Sequence, residues 1–314
     1  MDEKLKYITP EFIHEFGSLD FLANQIVEGF MSGKHKSPYQ GFSVEFAEHR
    51  LYNPGDSLKH IDWKRYAKTD KLFIKKYEAE TNLRCQFILD ASSSMFFPVQ
   101  KQWTYQEPNK YLFSTYAIAS LMQLFRKQRD AIGLSIIGET LLEHTEIKNL
   151  ESHQYELFKK LEQQLVHFNT NSPKTTSFSE HLKTLVLPIK KRSVFMLFSD
   201  LLFDTDEAFK AFISSLEYLR HNGHEVIVFH CLDYDKEVDL NFSANHLEFI
   251  GLENEGKLKG DVSNLKKAYQ EKMTDLLKDI KSSIIETNNT YVPVNINEDI
   301  SHVLMAYMSM RSSL

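Results

Sequence analysis

From residue 81 onward, short apolar runs alternate with longer stretches in which apolar residues recur every three or four positions. Cys85-Gln86-Phe87-Ile88-Leu89 has the pattern of a buried strand and ends in Asp90. Val194-Phe195-Met196-Leu197-Phe198 is a second such strand, ending in Ser199-Asp200, and residues 225–232 are a third. The spacing predicts helices over 111–129, 151–166 and 178–187, and another where Ala208, Phe209, Phe212, Ile213, Leu216 and Leu219 recur. The first of these is apolar on most sides through Ala117, Ile118, Ala119, Leu121 and Met122, the mark of a helix buried all round. Asn222-Gly223 ends the fourth in the usual C-terminal manner. Residues 131–137 form a further strand and 140–144 a short edge strand. A hairpin around 253–256 precedes a long helix with Leu265, Tyr269, Met273, Leu276, Leu277, Ile280 and Ile284 on one face. A last strand over 291–294 and a last helix over 300–308 complete the pattern.

Strands alternating with helices predict an α/β fold: a doubly wound, mostly parallel sheet with helices on both faces. In such sheets ligands bind beyond the carboxyl ends of the strands, where Asp90 and Asp200 both fall. Residues 1–80 have a different texture and are expected to form an N-terminal extension packed onto a main domain over 81–314. Within it, 12–31 predicts one or two helices, Pro54-Gly55 a tight turn and 72–77 a strand.

Composition narrows the function. A formal net charge of -6 argues against a general phosphate-binding or nucleic-acid role. The two cysteines, Cys85 and Cys231, both lie in apolar runs, so buried thiols in a reducing compartment are expected rather than disulfides or zinc ligands. The start Met1-Asp2-Glu3-Lys4 is charged, and no run approaches the ~18 apolar residues of a membrane span. The expectation is a cytoplasmic protein that does not insert into a membrane. The thirteen histidines show no metal spacing; His221 and His224 merely flank a helix end. There is no Gly-x-Ser-x-Gly nucleophile turn and no Gly-x-x-x-x-Gly-Lys phosphate loop.

Chemistry concentrates after the first buried strand. Asp90, Ser92 and Ser94 recur at spacing two on a tight turn, offering one carboxylate and two hydroxyls as hard oxygen ligands. Such ligands suit magnesium, manganese or calcium. A third oxygen is expected from a separate loop, from Thr176 or its neighbour Thr175, and Asp200 would bind the ion directly or through water. Asp followed by serines is also a common way to cap a helix, and a threonine in a polar loop is most often just solvated. An alternative is a magnesium-dependent phosphotransferase with Asp90 as nucleophile; that chemistry wants a second carboxylate where Ser92 stands and a general acid. A third reading is a structural module that holds no metal. Asp56, Asp62 and Trp63, a dense turn cluster, are assigned to structure before function.

The order Asp-x-Ser-x-Ser, later threonine, then strand-end Asp resembles the metal-ion-dependent adhesion site of von Willebrand factor A domains. Arg50-x-Tyr52-x-Pro54-Gly55-Asp56, then Ile61-Asp62-Trp63, Ala67, Leu72, Lys75 and Glu78, resembles the signature of the bacterial family called domain of unknown function 58. Tyr291-Val292-Pro293-Val294 and the closing helix resemble that family's end, so the likeness runs from about Gly41. The resemblance implies a protein-interaction module, not an enzyme, working as adaptor or co-chaperone with a MoxR-type AAA+ ATPase or its client. The partner would supply an acidic side chain to one Mg2+ (or Mn2+ or Ca2+) held by Asp90, Ser92, Ser94, Thr176 and Asp200. Two departures stand out. Many relatives carry membrane-spanning helices before the signature, and none is expected here. Residues 96–109, with Trp103 and Tyr105, are inserted beside the predicted metal face, where packing outweighs docking as their role.

Overall fold

The computed structural model describes residues 18–32, 49–51, 66, 68–69, 71–75, 83–99, 107–167, 178–242, 244, 246–252 and 256–311. They fall in two compact units, residues 1–32 with 83–314 and residues 33–82. In the smaller unit, β1 (His49–Leu51) pairs antiparallel with β2 (Phe73–Lys75), His49 opposite Lys75.

The larger unit is built on a six-stranded sheet. Its strands are β3 (Arg84–Asp90), β4 (Ala131–Ile137), β5 (Leu141–His144), β6 (Val194–Ser199), β7 (Glu225–Leu232) and β10 (Thr290–Asn295). They lie in the order β10-β7-β6-β3-β4-β5, all parallel except the antiparallel edge strand β5. A separate hairpin of β8 (His246–Ile250) and β9 (Lys257–Asp261) leads into the longest helix. No residue of β3 beyond Arg84 is more than slightly exposed, as expected for a strand covered on both faces.

Alternation along the strands divides the core. Cys85, Phe87 and Leu89 of β3, with Val194, Met196 and Phe198 of β6, point to one face. That face is covered by α1 (Leu19–Met31), α2 (Lys110–Lys127), α3 (Glu151–His167) and α7 (Ser301–Arg311). Ile88, Phe195 and Leu197 point to the other, under α4 (Phe178–Val186), α5 (Asp206–His221) and α6 (Val262–Glu286). Every residue of α2 from Lys110 to Phe125 is buried, because α1, α3 and α7 wrap the sides that the sheet leaves free. Full burial of one such aliphatic or aromatic side chain contributes about 1.5–3 kcal/mol, so this helix is central to stability.

The mostly parallel doubly wound sheet is as expected, and the element boundaries agree with the hydrophobic pattern to within a few residues. The division of the chain differs from a single extension over 1–80. Leu19, Leu22, Ala23 and Val27 form an apolar stripe on α1 that is buried in the core of the larger unit, so α1 belongs with the sheet. Of the resemblance signature, only the backbone of Arg50 and Lys75 and the residue Leu72 are described. Tyr52, Pro54, Gly55, Asp56, Ile61, Asp62, Trp63, Ala67 and Glu78 lie outside the described residues, as do Trp103 and Tyr105.

Candidate metal centre

The parallel register sets Leu89 beside Phe198, which brings the strand end Asp90 level with Ser199. The Ser199 hydroxyl donates to Asp90 Oδ2 at 2.6 Å, and the Ser92 backbone N–H donates to Asp90 Oδ1 at 2.8 Å. Both carboxylate oxygens are thereby fixed before any ligand arrives. The chain then turns through a short 3-10 segment, Ser94–Phe96, and this turn sets the Ser92 and Ser94 hydroxyl oxygens 3.0 Å apart. Asp90, Ser92 and Ser94 are all buried. Sequence spacing and structure thus agree that these three oxygen donors share one turn at the carboxyl end of the sheet.

Asp200 also lies there, in the first loop residue after β6. Its Oδ1 accepts the Leu202 N–H at 3.3 Å, and its Oδ2 accepts a hydrogen bond from Lys110 Nζ at 2.7 Å. Lys110 opens α2, where the Asn109 side chain caps the helix by accepting the Leu112 N–H at 2.7 Å. Its ammonium also donates to Glu237 Oε1 at 2.5 Å and lies 5.8 Å from the centre of the Phe97 ring. Glu237 sits in a π-helical turn after β7, Tyr234–Val238, and its Oε2 accepts the Asp233 N–H at 2.8 Å. Tyr269 of α6 ties down the same turn by donating to the Glu237 carbonyl at 2.6 Å.

Burial alone would push the Lys110 pKa down, but Asp200 and Glu237 outweigh it and hold the ammonium above the ordinary lysine value. Glu237 is displaced upward, its burial outweighing the pull of Lys110. Both of its oxygens nevertheless accept hydrogen bonds, one from an ammonium and one from a backbone N–H, as an ionised carboxylate does. Below the cluster, His230 is fully buried, which lowers its pKa to about 4. The neutral ring donates from Nε2 to the Asp200 carbonyl at 2.8 Å and accepts the Tyr291 hydroxyl at Nδ1, also 2.8 Å. Tyr111, stacked on Phe96 at 4.6 Å, is pushed up by burial and then by the Asp90 charge. Both cysteines are buried thiols as expected, and burial raises Cys231 to about 12.

The donor set decides what could be held. Among the described residues no three of His, Cys, Asp and Glu converge as a metal site, so any ion would depend on hydroxyl oxygens. One carboxylate and two hydroxyls on one turn fit a hard divalent cation. The Asp200 side fits less well, because an ammonium already occupies its Oδ2. Thr175 and Thr176 lie outside the described residues. Sequence reasoning missed Lys110, Glu237, Ser199 and His230. Lys110 alone carried a signal: a cation in the first turn of a helix opposes the helix dipole.

A family model described as "Protein of unknown function DUF58" matches residues 48–277. "Uncharacterized protein Mb1516" of Mycobacterium bovis is 28% identical over 88 residues, which span 28% of this chain and 28% of that protein. A protein of Mycobacterium tuberculosis, "Uncharacterized protein Rv1480", matches to the same extent. Among solved structures, BatB from Bacteroides thetaiotaomicron is 12% identical with a TM-score of 0.44, the match covering 74% of this chain and 100% of that one. The SpRpn10 VWA domain is 13% identical with a TM-score of 0.38, covering 71% and 94%. Among the described residues no helix is long and apolar enough to cross a membrane.

Proposed function

We propose, for a chain that belongs to the family of proteins of unknown function DUF58, that the carboxyl end of the sheet docks a protein partner through a divalent cation. Asp90, Ser92 and Ser94 would hold the ion, with Thr176 or Thr175 from a second loop and Asp200 nearby. Mg2+ is the first choice, and Mn2+ or Ca2+ suit the same hard oxygens. The ion would supply a Lewis-acidic point able to accept an acidic side chain of the partner. The observation that carries this reading is the pair of hydroxyls 3.0 Å apart beside a carboxylate whose two oxygens are already oriented.

The chain's own residues do the positioning. Ser199 and the Ser92 N–H fix the Asp90 carboxylate, and burial of all three loop residues keeps competing water away. Leu202, 44% exposed beside Asp200, offers an apolar contact at the rim. A nucleophilic role for Asp90 is disfavoured, since two hydrogen bonds stabilise its charge.

The partner we propose is a MoxR-type AAA+ ATPase or its client, met in the cytoplasm, with no nucleic acid and no membrane insertion. The two buried thiols suit reducing surroundings. The test is capture of the MoxR-type ATPase of the same genome by the immobilised full chain. Removing Mg2+ with a chelator should reduce capture at least tenfold, and Asp90→Ala should bind as poorly as the chelated wild type while remaining folded. Equal capture with and without the ion would end this reading.

A further inference from the structure

The Asp200 side of the centre already contains a cation, and it is covalently part of the chain. Lys110 is 0% exposed, and its Nζ stands 2.7 Å from Asp200 Oδ2 and 2.5 Å from Glu237 Oε1. Its backbone N–H is bound too, donating to the Phe97 carbonyl at 3.0 Å, so stem and head are both fixed. Asp200 is held equally firmly. Its other oxygen takes the Leu202 N–H, and its carbonyl takes the His230 ring N–H.

We propose that Lys110 is a tethered counter-ion that keeps Asp200 out of the inner ligand set of the divalent cation. The inference rests on the metal reading above and concerns which carboxylates reach the ion. For Asp200 to bind directly through Oδ2, that oxygen must leave a fully buried ammonium, and to bind through Oδ1 it must give up the Leu202 N–H. Removing one partner of a buried ion pair is strongly unfavourable. Among the described residues the ion is then left with a single protein carboxylate, Asp90. The affinity of hard oxygen sites follows the number of charged ligands. Lys110 therefore weakens the site for the bare ion and leaves the ion with net positive charge. A site of that kind is completed by a carboxylate from outside. Asp200 and Glu237 share one ammonium, so the trio carries a net charge of one negative unit that still favours a nearby cation.

The test is a Mn2+ titration of the full chain, with free Mn2+ followed by its electron paramagnetic resonance signal. The variant is the double substitution Lys110→Met with Glu237→Gln. Its remaining carboxylate, Asp200, gives the trio the same net charge as in wild type. Freed from the ammonium, Asp200 should ligate the ion, and Mn2+ should bind at least tenfold more tightly than to wild type. Adding Asp200→Asn to that protein should remove the gain. Should the double variant fail to fold, Lys110→Gln with Glu237→Gln keeps a hydrogen-bond donor on Asp200 while removing the ammonium. The same ordering is expected from it. If wild type binds Mn2+ and the double variant binds no tighter, or if the gain survives Asp200→Asn, the role of Lys110 is wrong while the metal reading stands. If no form binds Mn2+, the metal reading fails and this inference falls with it.

Discussion

The sheet carries an ion pair with a buried carboxylate at each end, and the two differ in their balance of charge. At the amino end, Asp130 precedes β4. It accepts the Leu83 N–H at 2.9 Å on one oxygen and the Arg311 guanidinium at 2.6 Å on the other. Arg311 also donates to the Tyr307 hydroxyl at 2.6 Å and lies 6.0 Å from the Phe125 ring centre. One carboxylate meets one cation, and each finds a further partner, so this pair ties α7 to the strand starts. At the carboxyl end, Asp200 and Glu237 compete for Lys110, and a turn of hydroxyls stands alongside. A charge-balanced pair locks the fold; the proposed cation would answer the acidic excess beside the hard oxygen donors.

The largest expected effect comes from breaking the amino-end pair. Arg311→Met leaves Asp130, 1% exposed, as a buried charge without its cation. That should cost about 3–5 kcal/mol of stability, measured by denaturant unfolding, while any Mg2+-induced shift stays as in wild type. Loss of that shift would mean that the two ends are coupled.

The next is pH-dependent and belongs to the carboxyl end. His230 is held neutral by burial, with its pKa lowered from 6.5 to about 4. The unfolded chain takes up the proton first, so this contribution is complete above about pH 6.5, declines as pH falls, and is gone below about 4. The loss is about 3 kcal/mol. Unfolding at pH 7 and pH 4.5 should show a steeper decline for wild type than for His230→Asn. Parallel curves would mean that the ring is not held neutral.

A smaller effect sharpens the contrast from the middle of the sheet. A Cβ on Gly133 would stand 2.3 Å from Gln86 Oε1 and 2.9 Å from the Thr145 carbonyl. Gly133→Ala should therefore destabilise by about 1–3 kcal/mol, and an unchanged melting temperature would show that Gln86 moves aside freely. Smallest of all, Asn109→Ala removes the cap that sets the start of α2 and the position of Lys110. A loss of about 1 kcal/mol is expected, again by denaturant unfolding; no loss would mean that the cap is replaced by another group.

The two ends were not equally legible in the sequence. Asp90, Ser92 and Ser94 are neighbours in the chain, so their convergence follows from local spacing, and the buried strands β3 and β6 announce where Asp90 and Asp200 lie. Lys110 and Glu237 are 127 residues apart, and no periodicity relates them. Lysine beside a polar stretch reads as solvated; its place in the first turn of α2, against the helix dipole, and the all-round apolar character of that helix are the hints that it is inside. Helix α1 was legible as a helix but not as part of the main unit. Its stripe of Leu19, Leu22, Ala23 and Val27 says that one face is covered without saying by what. The Asp130–Arg311 pair was missed for the same reason as Lys110, since it joins residues 181 positions apart.

Thermal unfolding of wild type and Asp90→Ala in rising Mg2+ decides whether the Asp90-Ser92-Ser94 turn holds a divalent cation. A ligand that binds only the folded state stabilises it by about 2.7 kcal/mol at a hundred times its dissociation constant. In a chain of this length that corresponds to a rise of roughly a few degrees. That rise is expected in wild type and not in Asp90→Ala. A wild-type midpoint that does not move, or one that moves equally in the variant, would contradict it.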